Sequence, residues 1–243
     1  MSICVIIPTY NEIDNLPLLV DRLRALPLPD LSILVIDDNS PDGTGALADD
    51  LSRKYQDQVS VMHRSGKLGL GTAYISGFQR LLGTDNQFIA QMDADFSHEP
   101  EKLLEFVEAI KSCDIVLGSR YIPGGSLDHN WPLWRKQLSS FGNTYARTIL
   151  NLPIRDITGG FRVWRREVLA SMPLEMVKSN GYVFQIETAY LAHRLGFTFK
   201  EVPIYFAERT HGQSKMNLSI QVEAALRVWG LLSRYRDIKP IKH

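Results

Sequence analysis

The sequence predicts an α/β fold: a mostly parallel sheet with helices on both faces and a C-terminal amphipathic helical appendage. Three observations point there. Short β-branched runs recur at Ile3–Ile7, Ile33–Ile36, Val59–Met62, Phe88–Met92 and Ile115–Leu117. Segments of helical period separate them, near residues 13–26, 43–55, 71–83 and 99–112. Turn or polar residues bound each run, so the chain alternates strand, helix, strand.

The elements follow in order. In the first helix Leu16, Leu19, Val20, Leu23 and Leu26 fall at helical spacing. The second half is less regular. A helix over 133–150 carries Trp134, Leu138, Phe141, Tyr145 and Ile149 on one stripe. A Gly-rich turn and strand follow at Thr158–Trp164, a helix at Val183–Leu195, a strand at Phe197–Val202 and a last helix at Leu218–Tyr235. No repeat, low-complexity tract or flexible linker is visible. The partition is one domain over 1–217 and a C-terminal helix and tail over 218–243.

The 243 residues are ample for a core, and 44% apolar with 22% charged residues excludes a disordered or fibrous chain. The two cysteines, Cys4 and Cys113, cannot build a disulfide scaffold and lack metal-ligand spacing; they read as core residues of a reducing compartment. The N-terminal apolar run is too short for a signal peptide, and no stretch approaches the roughly 18 unbroken apolar residues of a membrane span. The zero net charge hides a split: residues 1–110 carry 8 basic and 17 acidic side chains, the remainder 19 and 10. Chance and solvated helix faces are one reading. An acidic half that holds a metal or sugar and a basic half that meets an anion are the other.

In parallel α/β sheets ligands gather beyond the carboxyl ends of the strands, so the residues there carry the argument. After the first strand comes Pro8-Thr9-Tyr10-Asn11-Glu12. After the second comes Asp37-Asp38-Asn39-Ser40-Pro41-Asp42-Gly43. Turn formation and helix capping explain Asn39 and Asp42. They explain the adjacent carboxylates of Asp37 and Asp38 poorly, and donors from a base or ribose would relieve that repulsion. Gly66-Lys67-Leu68-Gly69-Leu70-Gly71 is neither a Walker A loop nor a dinucleotide fingerprint. It reads as a Gly-rich start to a helix, with close approach of a ligand to the backbone as the alternative. After the fourth strand comes Asp93-Ala94-Asp95-Phe96-Ser97-His98. On an extended segment residues i and i+2 point the same way, so Asp93 and Asp95 can converge on one hard cation. His98 reads as a residue at the start of a helix rather than a ligand.

Taken together these segments resemble a glycosyltransferase of family 2 with the GT-A nucleotide-sugar fold. Downstream, Gly118-Ser119-Arg120-Tyr121, Arg135-Lys136, Asp156-Ile157-Thr158-Gly159-Gly160-Phe161-Arg162, Gly181–Glu187, Val202-Pro203-Ile204 and Arg209–Lys215 resemble the dolichol-phosphate (polyprenol-phosphate) mannose synthases. The resemblance implies a guanine and ribose pocket lined by Pro8, Tyr10, Glu12, Ile36 and Asp38. It implies that Asp93, Ala94 and Asp95 contact the nucleotide diphosphate, with Asp93 and Asp95 on its Mg²⁺ or Mn²⁺. It implies that Arg120, Arg135 and Arg209 bind phosphate where donor meets acceptor, with Lys215 on the pyrophosphate; Asp95, Arg120 and Arg135 are the catalytic candidates. Two departures stand out. Ser97 occupies the place of a Gln that ligates metal in some relatives, so water would complete the coordination. Asn180 replaces a Lys found in others.

The expected reaction is inverting transfer of mannose from GDP-mannose to a polyprenyl (dolichyl-type) phosphate. The rivals are the same transfer from a UDP-sugar such as UDP-glucose, and a noncatalytic nucleotide-sugar-binding subunit. A phosphate acceptor with a second pKa of about 6 is already nucleophilic at neutral pH. This suits a chain with no obvious general base; Glu187 is the nearest candidate, and orienting an Arg or Tyr is its other reading. The helix at 218–235 reads either as a buried terminal helix or as an interfacial one, and Trp131, Trp134, Leu138 and Phe141 beside Arg135 and Lys136 invite the interfacial reading too. The expected location is cytoplasmic, peripheral on the cytoplasmic face of a membrane, with room for a membrane-anchoring partner protein. Neither charge nor motif points to nucleic acid.

Overall fold

The computed structural model describes residues 1–207 and 227–241. Strands β1 (Ile3–Thr9), β2 (Leu31–Asp37), β3 (Val59–His63), β4 (Phe88–Gln91) and β5 (Ile115–Ser119) alternate with helices α1 (Leu16–Arg24), α2 (Thr44–Lys54), α3 (Leu70–Leu82) and α4 (Leu103–Ala109). Then come β6 (Ser126–Leu127), α5 (Leu133–Ile149), β7 (Arg162–Arg165), α6 (Arg166–Ser171), α7 (Gly181–Arg194), β8 (Phe199–Pro203) and β9 (Tyr205–Phe206). Residues 227–234 are helical.

Seven strands form one sheet in the order β3-β2-β1-β4-β7-β5-β8, and β6 pairs with β9 in a small separate ribbon. The period-two alternation of β1 divides the core. Ile3, Val5 and Ile7 face the layer of α1, α2 and α4, while Cys4 and Ile6 face the layer of α3 and α7. In α1 the predicted stripe holds: Leu16, Leu19, Val20 and Leu23 are buried, each contributing about 1.5–3 kcal/mol. Pro17 sits in its first turn, where no intrahelical donor is needed. A charged residue at Leu19, which is fully buried, would detach the helix.

The expected mostly parallel sheet is found, with β7 running antiparallel between β4 and β5. The segment expected as one helix over 99–112 starts and ends as 3₁₀ turns, Pro100–Lys102 and Ile110–Ser112. Proline at its first position and the short span favour those tighter ends. Short α6, β6 and β9 lack the length that makes a periodic signal visible in sequence.

The sheet order fixes where ligands bind. From β1 the chain builds outward through β2 and β3, then crosses to β4 on the other side. The crevice between the carboxyl ends of β1 and β4 is therefore the topological switch point. Residues 8–12 and 92–95 flank it, and Met92 N–H donates to Ile6 O at 3.2 Å.

Cys4 and Cys113 are buried and unpaired, and burial pushes the Cys4 thiol up to about 11. Val228, Leu231 and Tyr235 join the core layer of α3 and α7, so the described end of the appendage packs on the main body. The boundary expected at 217/218 lies outside the described residues. Among the described residues no helix is long and apolar enough to cross a membrane.

Candidate active site

At the nucleotide end, the two adjacent carboxylates find their donors inside the protein. Asp37 accepts from Thr9 Oγ1 at 3.1 Å, from Ser40 N at 3.1 Å and from the Ser40 hydroxyl. Asp38 Oδ2 accepts from Leu68 N at 3.1 Å and Gly69 N at 3.3 Å. Arg64 Nη1 lies 2.8 Å from Asp38 Oδ1, close enough for an ion pair but out of line for a hydrogen bond. The expectation that base or ribose donors would relieve the Asp37–Asp38 repulsion is thus corrected: the Thr9 and Ser40 hydroxyls, backbone N–H groups and Arg64 already do so. Asp38 thereby fixes the Gly-rich loop at the start of α3. That loop needs Gly71, since a Cβ there would come 2.4 Å from Ser179 O. Asn180, the departure noted in the sequence, packs against the same loop, with Oδ1 3.0 Å from the Cβ position of Gly69.

The other pocket candidates divide. Pro8 is half-buried at the end of β1. Tyr10 lies beneath Lys67, whose Nζ is 3.6 Å from the ring centroid. Glu12 accepts from Asn15 Nδ2 at 2.8 Å. Ile36 is corrected: the whole residue is buried in the core and presents no surface to a pocket.

Beyond β4 the chain bends over 94–98, and Phe96 adopts φ +58°. The Asp-x-Asp pair therefore does not lie on an extended segment, as the spacing argument assumed. Asp95 Oδ1 accepts from Ser97 N at 3.0 Å, closing a turn. Asp93 Oδ1 lies 3.4 Å from the Tyr74 hydroxyl and Oδ2 3.7 Å from His98 Nε2. His98 is not a mere helix-start residue: it is buried beside Asp93, between the rings of Phe161 and Phe206 at 5.3 Å each. Ala94 is buried beneath the turn.

No three His, Cys, Asp or Glu side chains among the described residues form a complete cation cage. The carboxylates of Asp93 and Asp95, with the nearby buried Ser97, whose hydroxyl has no hydrogen-bond partner among the described residues, are hard oxygen donors of the kind that suits a cation taking its other ligands from water and phosphate.

Arg120, at the end of β5, is buried and held from two sides. Nε and Nη2 each lie 2.7 Å from Asp156, Nη2 is 2.8 Å from Thr158 Oγ1, and the Arg120 backbone N–H also donates to Asp156 at 2.9 Å. Burial alone would lower the Arg120 pKa, but the Asp156 carboxylate outweighs it and holds the guanidinium charged. Burial alone would raise Asp156, but Arg120 outweighs it and holds the carboxyl below its usual range. Nη1 is the nitrogen of Arg120 with no hydrogen-bond partner among the described residues. The loop that supplies Asp156 is stitched in place. Glu201 accepts from Asp156 N at 2.9 Å, and Asn143 of α5 accepts from Ile157 N and Thr158 N. Arg162 donates to the carbonyls of Ile157 and Gly159 at 2.8 and 2.9 Å; burial pushes its pKa down to about 9. The same loop carries Gly160, where a Cβ would stand 3.3 Å from Asp93 Oδ2.

Phe206, which carries no sequence signal, sits between the candidates. Its ring is 5.3 Å from His98, 5.1 Å from the Arg120 guanidinium and 5.8 Å from Trp131. Arg135, in the first turn of α5, stacks over Trp131 at 3.6 Å. Asp93, Arg120 and Arg135 are thereby drawn around one aromatic hub. Arg209 and Lys215 lie outside the described residues.

Glu187 resolves toward orienting other groups. Fully buried, it accepts from Ser179 N and Tyr235 Oη at 2.8 Å each, from Lys178 N at 3.2 Å and from Arg234. It ties the end of the C-terminal helix to the loop that packs on the Gly-rich segment. That helix turns Val228 and Leu231 inward and leaves Trp229 57% exposed, its indole donating to Tyr145 Oη at 3.0 Å. The described part of this helix, 227–234, thus packs one face on the core and leaves the other exposed, and the rest of the segment expected at 218–235 as far as 226 lies outside the described residues. On α5 only Asn143 and Ala146 are buried, whereas Leu133, Trp134 and Phe141 are 77%, 62% and 66% exposed. Trp131 is corrected: it is buried and not part of that stripe.

Comparison with known proteins places the chain in a family and supports the fold. The Glycosyl transferase family 2 profile matches residues 4–172. Polyprenol monophosphomannose synthase of Mycolicibacterium smegmatis is 49% identical over 233 residues, which is 95% of this chain and 87% of the relative. Undecaprenyl-phosphate mannosyltransferase of Micrococcus luteus is 45% identical over 242 residues, 98% of each. The crystal structure of glucosyl-3-phosphoglycerate synthase from Mycobacterium tuberculosis with Mn²⁺, UDP and phosphoglyceric acid is similar in fold. Its TM-score is 0.65 at 18% identity, covering 96% of this chain and 78% of that one. With that sheet, that crevice and that extent of identity, the chain is a glycosyltransferase and belongs to glycosyl transferase family 2.

Proposed function

We propose that this enzyme transfers mannose from GDP-mannose to a polyprenyl phosphate, giving polyprenyl β-D-mannosyl phosphate and GDP. The observation that carries the reading is the loop 156–160. It holds Arg120 through Asp156 and closes on Asp93 through Gly160, so anion-binding and cation-binding groups share one platform. Identity of 45–49% to a polyprenol monophosphomannose synthase and an undecaprenyl-phosphate mannosyltransferase supports the substrate classes.

In this reading the nucleotide lies in the crevice between β1 and β4, against Tyr10, Glu12 and Asp38. Asp93 and Asp95 would hold Mg²⁺ or Mn²⁺, which would supply positive charge against the departing diphosphate. Arg120 offers Nη1, and Arg135 its guanidinium, to phosphate oxygens. Arg209 and Lys215 add cationic groups from the segment after β9. The acceptor phosphate is largely dianionic at neutral pH and attacks without a general base. Glu187, saturated by protein donors, is not required as one. Attack opposite the leaving diphosphate inverts the anomeric centre. The exposed Leu133, Trp134, Phe141 and Trp229 form the face that rests on a membrane surface, where the acceptor resides, on its cytoplasmic side.

The test is transfer of label from GDP-mannose or UDP-glucose to a short polyprenyl phosphate with Mg²⁺ or Mn²⁺. Transfer from GDP-mannose, lost in Asp95→Asn, is expected. Transfer from UDP-glucose alone would overturn the donor, and nucleotide binding without transfer to any acceptor would return the protein to a binding role.

A further inference from the structure

The Asp93 carboxylate is enclosed by groups that no part of the transfer reaction above uses. Tyr74, fully buried in α3, points its hydroxyl at Oδ1 from 3.4 Å. Its ring is stacked on Phe184 at 5.8 Å and 7° and on Phe78 at 6.2 Å and 24°, so it has no room to swing away. On the other side His98 Nε2 stands 3.7 Å from Oδ2. Its ring is fixed by Phe161 and Phe206, and neither ring nitrogen has a hydrogen-bond partner among the described residues. A buried polar ring without partners asks for a reason. Gly160 lies beside both: a Cβ there would stand 3.3 Å from Oδ2 and 3.7 Å from Nε2.

We propose that Tyr74 and His98 are positioning residues that hold the two oxygens of Asp93 in the orientation that accepts the divalent cation, and that Gly160 leaves room beside Asp93 Oδ2. The 3.4 and 3.7 Å separations are slack contacts, and carboxylates that ligate metals are themselves hydrogen-bonded by outer partners. The inference rests on the metal reading given above.

The experiment measures Mn²⁺ binding by the full chain in the presence of GDP, from the electron paramagnetic resonance signal of free Mn²⁺. GDP affinity without metal is measured in parallel. Tyr74→Phe keeps the stacked ring and removes only the hydroxyl; His98→Phe keeps the aromatic packing and removes both nitrogens. Each should weaken Mn²⁺ binding about 10-fold while metal-free GDP affinity changes less than about twofold. A merely structural role would move both affinities or neither. Gly160→Ala leaves both partners in place and crowds Oδ2; it should weaken Mn²⁺ binding selectively as well, and it carries the test if an aromatic variant fails to fold. Mn²⁺ affinity within about twofold of wild type in a folded Tyr74→Phe or His98→Phe protein would overturn the role of that residue. Failure of the wild type itself to bind Mn²⁺ with GDP would overturn the metal reading, and this inference with it.

Discussion

Replacing Asp156 by Asn should both destabilise the protein and misplace Arg120. Asp156 and Arg120 are buried together, so solvent does not screen the pair. Asp156 accepts three hydrogen bonds from Arg120, at 2.7, 2.7 and 2.9 Å. Asn is nearly isosteric, but it is neutral, and its amide nitrogen would face a guanidinium N–H, donor against donor. A buried guanidinium left without its counter-charge costs about 3–5 kcal/mol. For a chain of this size each kcal/mol shifts Tm by about 2–4 °C, so the melting temperature should fall by about 6–20 °C. Acid carries a second signature. The Asp156 pKa is lowered in the folded state, so its contribution is present above the unfolded value of about 3.9 and is lost as pH falls through the lower folded value. Wild-type stability should therefore steepen downward below about pH 4, and the Asn variant should lack that component. Turnover should drop about 100-fold through loss of Arg120 geometry. Calorimetry at pH 7 and pH 3–4, with turnover at pH 7, reads all three. An Asp156→Asn protein that melts within about 2 °C of wild type would refute the reasoning.

Further expectations are simpler. Tyr235→Phe removes a hydrogen bond to buried Glu187 and should cost about 1.5–3 kcal/mol in urea unfolding, with the pH dependence of turnover unchanged. A lost limb of the pH–rate profile in Glu187→Gln would restore Glu187 as a base. Phe141→Asp, on the exposed aromatic face, should weaken co-sedimentation with phospholipid vesicles about 10-fold or more, and equal sedimentation would remove α5 from the docking face. Gly71→Ala places a methyl 2.4 Å from Ser179 O and should cost about 1–3 kcal/mol in thermal unfolding, because backbone rather than a flexible side chain must yield.

Much of this was legible from residue order. The apolar runs and helical stripes located β1 to β5 and α1 to α4, because period and burial are tightly coupled in a two-layered α/β core. Strand ends then pointed to residues 8–12, 37–43 and 93–95, since the crevice lies at the carboxyl ends. Strand direction was not legible: β7 has the same composition whether it runs with or against β4. Partners across long sequence separations were hidden as well. Tyr74 belongs to no motif, and His98 reads as the start of a helix, until α3 and the bend after β4 bring both to Asp93. Phe206 and Asn143 give no pattern, because their roles come from ring contacts and loop anchoring. The adjacent Asp37 and Asp38 misled for a related reason, as backbone amides 30 and 31 residues away from Asp38 carry no sequence mark.

The central claim is that a lipid phosphate, gripped by arginines, attacks the sugar directly. The most direct measurement offers the enzyme GDP-mannose with either a polyprenyl phosphate or the matching polyprenol, and reads the anomeric configuration of the product by NMR. The account predicts transfer to the phosphate alone, a β-mannosyl phosphate product, and loss of transfer in Arg120→Lys. An α-linked product, or transfer to the alcohol at a comparable rate, would contradict it.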